Sequence, residues 1–83
     1  MGEQYFVAIC KNEVLEYVRK HLGENITEND VYVVWLCRVL QNNKALLSTN
    51  LLDGMYYELT YNGNEGVIYF DAYKKTDNYS VVV

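Results

Sequence analysis

Eighty-three residues, 51% apolar and 22% charged, hold one globular domain rather than a disordered chain. The formal charge is −4 and the seven basic residues are scattered, so no Lys/Arg cluster is ready for a phosphate backbone and nucleic-acid binding is disfavoured. A chain this short buries only roughly 60–65% of its unfolded surface, which leaves a marginal core that a partner would reinforce.

Residues 3–22 carry a helical period. Phe6, Ile9, Cys10, Val14, Tyr17, Val18, His21 and Leu22 fall three and four apart and form one apolar stripe. Glu13, Glu16, Arg19 and Lys20 occupy the other side, and Gly23 follows a basic last turn as a stop signal. Thr27 with Asp30 has the spacing of a capping box. The residues that follow, Val31 to Leu40, are nevertheless rich in Val with one Tyr and one Trp, which favours a strand over a second helix.

The turn chemistry continues that reading. Residues 41–44 (QNNK) suit a tight hairpin because Asn tolerates positive φ, and residues 44–49 form the second strand. Asp53-Gly54 marks the next turn, residues 55–61 the third strand, Asn62 to Gly66 a hairpin turn, and residues 67–75 the fourth strand. The expectation is an α+β domain over residues 1–83: one N-terminal helix on a four-stranded antiparallel meander (strands about 31–40, 44–49, 55–61 and 67–75), its short connections making sequential strands neighbours. The C-terminal Val81-Val82-Val83 is β-prone, and it either pairs with a sheet edge or frays.

Strict alternation along the strands assigns Trp35, Leu59, Ile68 and Phe70 to the helix-packed core. The opposite face then holds Tyr32, Val34, Leu36, Tyr56, Tyr69 and Tyr73, with Arg38, Glu58 and Asp71 among them. A sheet face open to water normally carries polar residues. Tyr32, Leu36, Arg38, Tyr56, Tyr69 and Tyr73 are therefore the candidate binding residues of an interaction surface. Tyr and Val are also good strand formers that stack across strands, and this plainer account of the face stays open.

No catalytic constellation, metal set or cofactor motif stands out. His21 is the sole histidine, and Cys10 lies eleven residues from it, about 16 Å along a helix. Cys37 with His21 is a weak nucleophile pair. Three Cys and His residues in all are too few for a structural zinc site. Glu58 and Asp71 are expected as surface acids, solvated or paired with Arg38. The N-terminus lacks a basic and apolar leader pattern, no stretch reaches the ~18 apolar residues of a membrane span, and both thiols read as buried. A cytoplasmic protein that is not an enzyme is the expectation.

The strings at residues 30–37 (DVYVVWLC), 40–49 (LQNNKALLST), 53–63 (DGMYYELTYNG) and 68–75 (IYFDAYKK) resemble a family of small uncharacterised proteins. That family is encoded by phages and prophages of low-GC Gram-positive bacteria, and the resemblance implies a cytoplasmic accessory protein and no reaction. Two functions fit. One is an interaction protein, homo-oligomeric or bound to a host defence or replication factor that it blocks. The other is a homo-oligomer that encloses a nucleotide-type ligand between Tyr rings, with Arg38 or Lys44 on a phosphate.

Overall fold

The computed structural model describes all residues, Met1–Val83. Helix α1 runs from Glu3 to Tyr17, entered from an extended Gly2 whose carbonyl accepts the Phe6 N–H at 3.0 Å. Its last turn widens into a π turn over Val18–Leu22, and Gly23, at φ 66°, ends it in the left-handed region that glycine enters without cost. Phe6, Cys10, Val14 and Val18, four apart, are fully buried, and Leu15 joins them from outside the expected stripe. His21 and Leu22 are exposed, because the widened turn carries them past the end of the core.

The Thr27–Asp30 capping box forms but supports only one 3-10 turn, Glu28–Asp30. The Asp30 carboxylate accepts the Thr27 N–H at 2.9 Å, which holds the carboxyl below the usual aspartate range. Asp30 also accepts the Asn50 N–H at its carbonyl, 2.9 Å, so the cap fastens the start of the first strand to the end of the second.

Strands β1 (Val31–Val39), β2 (Asn42–Thr49), β3 (Met55–Asn62) and β4 (Val67–Lys74) form an antiparallel meander in the order β1-β2-β3-β4. The first turn falls two residues earlier than the Asn pair suggests. Val39 pairs with Asn42, so Leu40 and Gln41 make the turn and Leu40 takes the positive φ of 57°. Asn42 instead spends its side chain on the far hairpin, where its Oδ1 accepts the Gly63 N–H at 3.1 Å. Gly63 is needed there: a Cβ would sit 2.3 Å from the Gln41 carbonyl oxygen.

The core lies between α1 and the sheet. Ala45, Leu47, Tyr57 and Leu59 of the central strands meet Phe6, Cys10, Val14 and Val18. Ile68 and Phe70 pack against this cluster from β4 and are half-buried, because α1 lies over β1 and β2. Burial of Cys10, with Glu13 close by, pushes its thiol up to about 12.

One irregularity reorders the first strand. Val33 pairs with Leu47 and Trp35 with Leu46, which leaves Val34 as a β-bulge. The bulge inverts the alternation beyond it. Leu36 therefore lies opposite buried Ala45 on the helix side, and Arg38 lies opposite Asn43 on that side too. Trp35, expected in the core, and Cys37, expected to be buried, are exposed on the outer face. The terminal Val81, Val82 and Val83 are exposed and outside any strand.

Candidate functional site

In an antiparallel sheet, directly opposed residues share a face. The outer face can therefore be read as rows across the strands. One row is Trp35, Leu46, Glu58 and Asp71; another is Cys37, Lys44, Thr60 and Tyr69; Tyr56 stands opposite Tyr73, and Tyr32 opposite Ser48. No helix covers these rows. Trp35 is 41% exposed and Tyr69 and Tyr73 are each 51% exposed.

Of the six candidate binding residues, the structure brings Tyr32, Tyr56, Tyr69 and Tyr73 together on this face. It removes Leu36 and Arg38 to the helix side, for the bulge at Val34 puts them out of phase with Tyr32. Their places are taken by Trp35, which alternation from Val31 put on the other face, and by Leu46 of β2, to which alternation assigned no face. The phase was hidden because residues 31–37 are all apolar or aromatic, so a period of two carries no sign of which side is which.

Trp35, Leu46, Tyr56 and Tyr73, with Glu58, Lys74 and Lys75, line an open groove of about 380 Å³. The groove is apolar at its centre and mixed in charge. Lys44 pairs with Glu58 at 3.5 Å, the role sequence reasoning offered to Arg38. Asp71 stands directly across from Glu58. Tyr69 donates its hydroxyl to Glu65 at 2.6 Å, and that bond raises the phenol's pKa. A ring with one polar tip offers large apolar area with little side-chain entropy to lose.

A smaller concavity of about 180 Å³ lies at the end of α1, lined by Glu13, Glu16, Tyr17, Lys20, His21 and Phe70. His21 stacks on Tyr17 with ring centroids 4.6 Å apart, and Tyr17 reaches Phe70 at 5.3 Å. His21 lies on the helix side and Cys37 on the outer face, so the sheet separates the two groups of the weak nucleophile pair. No group of three or more His, Cys, Asp or Glu side chains is arranged to hold a metal ion. No helix is long and apolar enough to cross a membrane.

Helix, meander and open aromatic face together define a small α+β domain with one packed and one uncovered sheet surface. The chain belongs to a family of unknown function (DUF6275), whose model matches residues 7–83. No curated protein and no solved structure matches it.

Proposed function

We propose that this protein works by protein–protein interaction through the outer face of its sheet, as a small phage-encoded accessory protein that binds and blocks a host factor in the cytoplasm. The observation that carries the reading is the cluster of half-exposed rings, Tyr32, Trp35, Tyr69 and Tyr73, on a face no element covers. Interface cores favour Tyr and Trp because a rigid ring buries much area at small entropic cost. The phage setting comes from the sequence resemblance. The role is read as non-catalytic: the Cys10 thiol is buried with its pKa pushed up to about 12, far from a reactive thiolate, and Cys37 lies across the sheet from His21.

The test uses tagged wild-type protein and a Trp35→Ala/Tyr73→Ala double variant expressed in the bacterial host. One host protein in stoichiometric amount on the wild type, lost from a variant that still folds, is the expected result. Identical captures from both proteins overturn it.

A second reading has its own observation. The groove sets Trp35, Tyr56 and Tyr73 beside Lys74 and Lys75, rings for a base and ammonium groups for a phosphate. Arg38 no longer serves and Lys44 is engaged by Glu58, so the two C-terminal lysines would carry the phosphate contact. A thermal shift with cyclic or signalling nucleotides, absent in Lys74→Ala/Lys75→Ala, supports this reading, and no shift with any nucleotide refutes it.

A further inference from the structure

A meander has two free edges, here β1 and β4. An edge strand offers unpaired N–H and C=O groups, and proteins blunt such edges with bulges, charges or proline. The β1 edge is broken by the bulge at Val34 and carries Arg38. The β4 edge is less interrupted, with charges but no bulge. It runs from Val67 to Lys74 in unbroken register with β3, has no proline, and holds Asp71 as its one charge before Lys74.

The direction of its free groups follows from one bond. Lys75 donates its N–H inward to the Gly54 carbonyl at 2.8 Å. Backbone groups alternate along a strand, so Tyr73, Asp71 and Tyr69 also point to β3, while Ala72, Phe70 and Ile68 point outward. On the helix side the same edge leaves Ile68 and Phe70 half-buried and Ala72 exposed.

We propose that β4 pairs antiparallel with β4 of a second copy about a twofold axis at Phe70, joining two meanders into one eight-stranded sheet. With both helices on one side, every residue faces one of its own face, so the residue on the axis meets its own counterpart. An axis at Asp71 sets two carboxylates against each other, each already opposite Glu58. An axis at Phe70 avoids that clash. Phe70 then meets Phe70, Ile68 meets Ala72, Tyr69 meets Asp71 and Val67 meets Tyr73, and at both ends Lys75, one residue past the strand, comes near the turn that carries Glu65 of the second copy. Apolar residues meet on the helix side, and opposite charges meet at the rim. The pairing extends the sheet sideways and leaves the outer face uncovered, although it sets Tyr69 and Tyr73 beside the second copy and shares Lys75 with the groove.

Sedimentation velocity on the intact chain tests the proposal. The wild type is expected to be a dimer at micromolar concentration. Ala72→Pro removes only an outward N–H and is expected to raise the dimer Kd by about tenfold. Glu65→Lys and Lys75→Glu each weaken the dimer by about tenfold, and the two together restore it, because the pair is rebuilt with its signs exchanged. The charge exchange decides the matter even where the proline variant folds poorly. A monomeric wild type overturns the proposal. So does a dimer indifferent to both single charge reversals, or one lost only when Tyr79–Val83 is removed, which would make the tail the pairing strand.

Discussion

Tyr57 offers the sharpest test of the packing. Its side chain is fully buried between α1 and the sheet, against Tyr17 at 5.5 Å and Phe70 at 5.8 Å between ring centroids, and its hydroxyl has no hydrogen-bond partner. In the unfolded chain that hydroxyl is bonded to water, so folding forfeits the bond. A buried unsatisfied polar group costs about 1–3 kcal/mol. Tyr57→Phe deletes the group and leaves the ring, so the variant is expected to gain about 1 kcal/mol, or about 4–8 °C in Tm for a domain of this size. Urea and thermal unfolding at pH 7 measure it. A second readout is alkaline. Burial pushes the Tyr57 phenol up to about 12 from 10.0, with the Asp53 carboxylate and Tyr17 adding to it. The folded pKa lies above the unfolded one, so this contribution to stability is intact below pH 10 and is lost as pH rises from 10 towards 12. The variant lacks the group, and its advantage over the wild type should widen across that window. A variant that is less stable at pH 7, with a gap that does not widen above pH 10, refutes the reasoning and places a bonded water on the hydroxyl.

Three further outcomes follow from single positions. Gly63→Ala forces a Cβ to within 2.3 Å of the Gln41 carbonyl and should cost about 1–3 kcal/mol in urea unfolding; an unchanged midpoint would mean the two turns are not in contact. Leu40→Gly relieves a positive φ of 57° at a side chain that is 83% exposed, and should raise stability by about 0.5 kcal/mol once the flexibility of glycine in the unfolded chain is set against the gain; a clear loss would mean Leu40 packs on something. Trp35 is the sole tryptophan and is 41% exposed, so its fluorescence should be quenched readily by acrylamide in the native protein and shielded when a partner covers the face; a native signal as protected as a core indole would put Trp35 back on the helix side.

The candidate site was half legible before the structure. Four tyrosines, at positions 32, 56, 69 and 73, fall on the face that alternation assigns them: β3 and β4 pair without interruption, and Tyr32 precedes the bulge in β1. The assignments of Leu36, Arg38 and Trp35 failed together and for one reason, the extra residue at Val34. Nothing in residues 31–37 marks it, since every candidate for the inserted position is equally apolar and equally suited to a strand. The groove at Trp35 was hidden for the same reason, and its lysines, Lys74 and Lys75, stand among basic residues that read as scattered.

The sequence by itself determined the elements and their order: a helix from a stripe spaced by three and four, ended at Gly23, then four strands cut by turn residues into a meander. These are local properties, set by side chains within a few positions of one another, and a local pattern can be read along the chain. The tertiary structure decided what local patterns leave degenerate. It chose the bulge at Val34, placed the positive φ on Leu40 rather than on an asparagine, and left the outer face and the β4 edge uncovered. Each of those depends on which residue stands opposite which across strands distant in sequence, where one inserted residue exchanges the two faces of a strand.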